Sequence, residues 1–328
     1  MSGAGLKACA TPSLPPKRSD VPAVSPRFVV RRLLAAAGLV FVVSSAALVL
    51  ADIAPGDFVT ATIGGDPSIV RAERQRLHLD RPIAERYREW MTRSLTLDLG
   101  ESFQYRRPVL GLVRERAANT AVLALAALVL ATAIGIPAGV VTGSRRGVAA
   151  RVLRGGSLLL LAMPPLITSF VLLTIAARTR WFPIAGMGGL RHLVVPALSL
   201  ALPLAAMLER LQSDAIRDAL ARTHVVAAAA RGIPRRRLIW RHAWRASVGP
   251  VLGVYGVVIG SLFSGSFVVE VIASWPGLAS LMRDALMARD APLVAGCAAA
   301  GALFLAAGVL IVDLTHAALD PRIEVHSA

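Results

Sequence analysis

Lysine is nearly missing from this sequence. Lys7 and Lys17 are the only two in 328 residues, yet the formal net charge is +16, so arginine carries it. A phosphate-cradling P-loop ends in Lys followed by Ser or Thr. Here the lysines are followed by Ala8 and Arg18, which excludes a Walker-type ATP site. Cysteine is equally scarce. Cys9 and Cys297 lie far apart, no structural disulfide is expected of them, and no paired-Cys or HExxH zinc pattern occurs. The six histidines are scattered and are read as structural. Gly260-Ser261-Leu262-Phe263-Ser264-Gly265 lacks the GxSxG spacing of a serine nucleophile, and its small residues suit close helix packing. The apolar runs also lack the chain of carboxylates that a proton-coupled carrier uses. No cofactor site is legible, and any energy source has to come from elsewhere.

What the chain does contain is apolar sequence: 55% of residues are hydrophobic, in several runs of bilayer length. The first, Leu33–Ala51, spans roughly 28 Å as a helix at ~1.5 Å per residue, close to the ~30 Å hydrocarbon core. A cleaved signal peptide is the rival reading, but the run is long for one. Further spans are expected at about 120–142, 157–177, 193–208, 248–269 and 292–312, which makes six. Residues 1–26 hold five prolines and no apolar periodicity, and read as a disordered tail. Residues 27–51 are the first transmembrane segment, and 52–118 form a large polar loop with short helices at Arg71–Leu79 and Ile83–Trp90.

The arginines are dispersed between spans, which the positive-inside rule explains better than nucleic-acid binding does. Arg145, Arg146, Arg151 and Arg154 fall on the same side as the basic N-terminus and the long segment 209–250. The expected architecture is an all-α polytopic membrane protein with both termini cytoplasmic and the 52–118 loop outside. Residues 119–323 make the core, and 324–328 a cytoplasmic end. Breakers sit inside spans: Pro137, within Gly135-Ile136-Pro137-Ala138-Gly139, and the pair Pro164-Pro165. Each marks either a pathway-lining or hinge helix or an ordinary packing kink. Glu270 is a candidate gate-side acid; it and Asp313 stand near span ends, where water is expected to reach them.

Segment 209–250 carries nine arginines against three acids. Val225-Val226 and the four alanines 227–230 predict a short helix. Gly232 can take φ > 0 and close it, and Pro234 suits the first turn of a second helix. On that second helix Arg237, Arg241 and Arg245 fall four apart beside Trp240 and Trp244, a pattern that lies along lipid headgroups. The first helix has no such anchors. It is either part of the same interfacial segment or an element made to be touched.

Ala227-Ala228 followed by Gly232 and, later, Pro250 resembles the EAA-type cytoplasmic loop of ABC importer permeases, and more narrowly of the dipeptide/oligopeptide/nickel family. Leu79-Asp80-Arg81-Pro82 with Tyr87 and Trp90, then Asp98-Leu99-Gly100-Glu101-Ser102, resemble that family's outer loop. Gly135–Gly139 resembles its second span. Val268-Val269-Glu270 with Trp275-Pro276-Gly277-Leu278, then Ala288–Leu293, resemble its fifth-span exit. Leu319-Asp320-Pro321-Arg322 matches its C-terminal signature. Coverage runs from about Phe28 to Ile323. Departures are Val226 for a Glu, Ala227 and Ala229 for Thr and Arg, His224 for Tyr, and His78 and Leu97 for outer-loop glycines.

The resemblance implies a translocation subunit of the bacterial inner membrane, not an enzyme. Val225, Val226, Ala227, Ala228, Arg231, Gly232, Ile233, Pro234 and Arg235 would form a coupling helix seated in a separate ATPase subunit. Two ATPases, a second homologous permease and an external solute-binding protein would complete the assembly within membrane lipid. The solute, whether peptide, nickel complex, glutathione or another, is not legible. An ion-gradient-driven carrier and an intramembrane enzyme are the alternatives from other classes.

Overall fold

The computed structural model describes residues 26–62 and 67–319, so the expected tail, the Gly64–Asp66 turn and the C-terminal signature beyond Leu319 lie outside it. Among the described residues the chain is helical throughout, with a lone bridge between Glu101 and Pro108. The chain opens with the apolar helix α1 (Pro26–Ile53), followed by the polar segment of α2 (Phe58–Thr62), α3 (Pro67–Arg76) and α4 (Ile83–Ser94), expected to be the outer one. The core follows as α5 (Val109–Ser144), α6 (Val148–Ala162), α7 (Pro165–Thr179) and α8 (Leu190–Ala221). Then come α9 (Thr223–Ala230), α10 (Arg235–Arg237), a widened π turn (Leu238–Ala243), α11 (Trp244–Leu252), α12 (Tyr255–Ile272), α13 (Leu278–Ala288) and α14 (Ala291–Leu319). Five helices are long and apolar enough to cross a membrane. The pair α6–α7, bent by 110°, makes a sixth if counted as one span.

Several expectations about spans change, and 248–269 is one of them, split between α11 ending at Leu252 and α12 starting at Tyr255. The run 157–177 is not one helix. Pro164 and Pro165 end α6 and start α7, because proline forces the residue before it out of the helical region; Met163 is extended at φ −89°, ψ 120°. Pro137, by contrast, interrupts nothing: α5 runs 36 residues through it. The expected span 193–208 is part of a 32-residue helix that continues far into the segment read as polar. α5 already starts at Val109, within the 52–118 segment expected as a loop.

The axis of the core is the pair α5–α8. Gly135, Gly139 and Gly143 form a stripe at four-residue spacing along α5. A Cβ on them would stand 2.5 Å from the Ala205 carbonyl oxygen, 2.6 Å from that of Glu209 and 2.6 Å from that of Ser213. In lipid no hydrophobic drive pushes helices together, so packing and buried polar bonds must, and small residues permit the approach. That contact explains the long α8. Glu209, Gln212 and Ser213 are buried against α5 instead of opening a loop. The Thr142 hydroxyl donates to Glu209 Oε1, and Gln212 Nε2 donates to Ser247 Oγ at 2.9 Å. Above this seam Leu123, Ala127 and Ala131 pack with Leu200, Leu204 and Leu208 and with Val258 and Leu262 of α12.

Helix ends share one device. At α3, α4, α9, α12 and α13 paired N–H groups reach back in the Schellman pattern, for instance Leu79 N to Arg74 O at 2.9 Å and His78 N to Gln75 O at 3.1 Å. The closing residues all have positive φ: His78 (54°), Leu97 (61°), Gly232 (80°), Ser274 (49°) and Arg289 (57°). Only one of the five is glycine.

Candidate functional site

The Ala-rich segment is the helix the sequence predicts. Residues 225 and 228 are three apart, so they share a face, and Val225 and Ala228 are buried against Leu220, Ile233 and Leu238. Val226, Ala227, Ala229, Ala230 and Arg231 face outward, with Val226 54% exposed. Gly232 closes α9 at φ +80°: its N–H donates to Ala229 O at 3.0 Å, and that of Ile233 to Ala228 O at 3.3 Å. Nothing stands within 4 Å of the position a Cβ would take. Glycine is required there by backbone conformation, not by space.

Pro234 sits just before the second helix, and its carbonyl accepts the N–H groups of Arg237 and Leu238. The π turn at Leu238–Ala243 was not legible in the sequence. Even so, Arg236, Arg237, Trp240, Arg241 and Arg245 still line one exposed groove, and the Trp240 and Trp244 rings stand 6.0 Å apart. Two bonds tie this arm to the core. Arg235 Nη2 donates to the Ser144 carbonyl at the C-terminus of α5, and Gln212 of α8 binds Ser247 of α11. A cation on the last carbonyls of a helix complements its dipole. The arm is thus bonded to the last residue of α5 and, through Gln212, to the inner part of α8.

Glu270 lies elsewhere. Water was expected to reach it, but it is fully buried. Its Oε1 accepts from the Thr120 hydroxyl at 2.7 Å. Its Oε2 accepts from the N–H groups of Ala279 (2.7 Å) and Ser280 (3.3 Å). A carboxylate there satisfies orphan donors at the start of α13. Gly277 leaves it room: a Cβ there would fall 2.4 Å from the carboxyl group. Asn119 completes the knot, donating to the Pro276 carbonyl at 2.8 Å and accepting from Trp275 Nε1 at 3.1 Å. Asn119 and Thr120 were missed in the sequence; their signal is two polar residues opening an apolar run. Asp313, the other acid, is partly exposed and pairs with Arg32 at 3.1 Å.

A second clasp holds the outer segment. Asp290 caps α14, accepting from Leu293 N at 3.2 Å, from the Ser102 hydroxyl at 2.6 Å and from Gln104 N at 3.0 Å. Burial pushes its carboxyl above the usual range, and the Ser102 and backbone donors offset only part of that.

The candidate residues thus form no single cluster. Thr120, beside Glu270, and Ser144, beside Arg235, are 24 residues apart on α5, roughly 36 Å at ~1.5 Å per residue. That is slightly more than the ~30 Å hydrocarbon core, a separation long enough to span a bilayer. Pro137 lies between them on the glycine seam, and Pro164-Pro165 at the bend.

Comparison with known proteins adds to this geometry. The family model described as "binding-protein-dependent transport system inner membrane component" matches residues 135–325, and its N-terminal counterpart matches residues 26–124. The chain is 30% identical to the oligopeptide transport system permease protein AppB of Bacillus subtilis, over 90% of this chain and 99% of that one. It is 27% identical to the glutathione transport system permease protein GsiC of Escherichia coli K12, over 90% and 98% respectively.

Proposed function

The chain belongs to the binding-protein-dependent transport system inner membrane component family, and from that premise we propose how it works. It is an ABC-type permease subunit of the peptide class, a multi-pass protein of the bacterial inner membrane. In the proposed mechanism it forms half of a pathway through which a peptide or related small solute is imported. A second homologous permease supplies the other half, two ATPases work from the cytoplasm, and an external binding protein delivers the solute over the outer segment and residues 271–292. Glutathione and nickel complexes belong to the same range of candidate solutes.

The observation that carries this reading is the build of α9. One face is packed, the other is exposed and nearly free of anchors, and the far end is fixed at a set angle by Gly232. Val226, Ala227 and Arg231 would enter a cleft of the ATPase. Val225, Ala228 and Ile233 would hold the helix to Leu238. Arg235 would pass its displacement to α5. Closure of the ATPases would then drive the two permeases between inward- and outward-open arrangements.

The test is a pull-down of the tagged full chain in mild detergent with mass spectrometry. Recovery of a P-loop ATPase and a second multi-span subunit is expected. Bulky substitutions on the exposed face (Val226→Trp with Ala229→Trp) should release the ATPase while membrane insertion stays normal. Gly232→Val should uncouple the complex, lowering transport at least tenfold with insertion unchanged, because a β-branched residue resists φ > 0. Normal transport in that variant refutes the coupling turn. Recovery of the chain alone, with transport in ATP-free liposomes, would favour an ion-driven carrier instead.

A further inference from the structure

We propose that the basin between the end of α5, the start of α6 and the last turns of α8 binds the phosphate headgroup of an anionic phospholipid. The basin has a volume of about 950 Å³. Arg145, Arg146, Arg151, Arg154, Arg217 and Arg235 line it, and no carboxylate does among the described residues. Arg217 is partly neutralised by Asp214, at 3.1 Å. The other five have no acidic partner within salt-bridge distance among the described residues. Arg235 and Arg154 are the two anchored to the end of α5. They donate to the Ser144 and Thr142 carbonyls there, the latter at 2.8 Å, and so are held in place by a helix end and not by a carboxylate. Arg154 Nε is shut off from solvent and has no acceptor. Arginine forks match phosphate oxygens, and the exposed Arg145, Arg146 and Arg151 leave theirs open.

Free phosphate shares that chemistry, but the surroundings favour a lipid. From the rim of the basin, Val148, Val152 and Leu159 run along one face of α6 at helical spacing, 68%, 69% and 65% exposed. A phosphate head in the basin would lay its acyl chains on that stripe. Trp240, 53% exposed, belongs to the same basic end of the molecule, as a headgroup-level residue does. The excess of positive charge selects an anionic head over a zwitterionic one. Because Arg235 also belongs to the arm that carries α9, the bound head would sit beside the linkage between that arm and α5. The inference rests on the proposed sidedness only for the leaflet that supplies the lipid.

The experiment uses the purified full chain in detergent and needs neither transport nor ATP hydrolysis, so its failure is separate from failure of the importer reading. Native mass spectrometry would count retained phosphatidylglycerol against phosphatidylcholine. Expected is selective retention of phosphatidylglycerol, at least tenfold weaker in R145Q/R146Q/R151Q, which removes only exposed arginines. The charge-matched R71Q/R88Q/R114Q variant, on the outer segment and the start of α5, should retain it as wild type does. An unchanged melting profile without lipid would show that the first variant is folded. Equal retention of the two lipids, or retention unaffected by R145Q/R146Q/R151Q, overturns the proposal. Full displacement by millimolar inorganic phosphate reassigns the basin to a free anion. Loss of the lipid when the partner subunits assemble makes it a protein contact instead.

Discussion

Replacing Gly139 with alanine sets two physical effects against each other. In an isolated helix the change is favourable by about 1 kcal/mol, since alanine loses less backbone freedom. In this protein the new Cβ would lie 2.6 Å from Gln212 Cβ and 2.6 Å from the Glu209 carbonyl oxygen. Ordinary contact begins near 3.4 Å, so α5 and α8 must part by roughly 0.8 Å. Neither neighbour is a flexible side-chain tip. Overpacking of this kind costs about 1–3 kcal/mol. Parting the helices also strains the Thr142–Glu209 and Gln212–Ser247 bonds, each contributing about 0.6 kcal/mol in a membrane protein. The sum, less the propensity gain, is a net destabilisation of about 1–3 kcal/mol. Equilibrium unfolding in mixed micelles measures it, with Gly156→Ala as the control. Gly156 lies in α6 with nothing within 4 Å of its Cβ position, so there the propensity gain stands alone. The two variants should move in opposite directions. A Gly139→Ala protein as stable as wild type would refute the close-packed seam.

The same backbone logic with the opposite sign applies to His78 and Leu97, which close α3 and α4 at positive φ. His78→Gly and Leu97→Gly should each stabilise the outer segment by about 0.5–1 kcal/mol, the left-handed strain relieved less the entropy glycine adds to the unfolded chain. Reduced protease cutting near residues 77–98 would register it; faster cutting would contradict it. Acid should act on two outer carboxyls in opposite ways. Burial alone would raise Asp57, but the Thr60 amide and Arg74 outweigh it and hold the group below its ordinary 3.8. Its contribution is therefore present above pH 3.8 and lost as pH falls through the depressed value. Asp290 is raised, so its folded form binds a proton more readily than the unfolded chain does. The stability it contributes declines as pH rises from 3.8 through the raised value. Hydrogen exchange between pH 3 and 7 should show residues 57–62 loosening at the acid end while the Ser102–Gln104 turn does not. Parallel loosening of both would be inconsistent with these assignments.

The membrane class and the helix–turn–helix around Gly232 are legible in the sequence alone. Hydropathy and the need for φ > 0 are properties of a single residue or a short window, and both act before any tertiary contact forms. Gly232 needs no neighbour to explain it, and none stands within 4 Å of its Cβ position. What the tertiary structure decided is the fate of polar and breaking residues. Glu209, Gln212 and Ser213 look like the start of a loop, yet they continue a buried helix because Thr142, 67 residues away, and Ser247 satisfy the first two. Glu270 looks like a solvated span end, yet it is sealed by Thr120, 150 residues away. Pro137 leaves α5 continuous while Pro164-Pro165 turns the chain by 110°. Five of the six positive-φ helix closures among the described residues, Arg180 at the end of α7 included, fall on residues other than glycine, where no local signal marks them. In lipid a polar group is placed by whichever partner satisfies it, and that partner is close in space without being close in the chain.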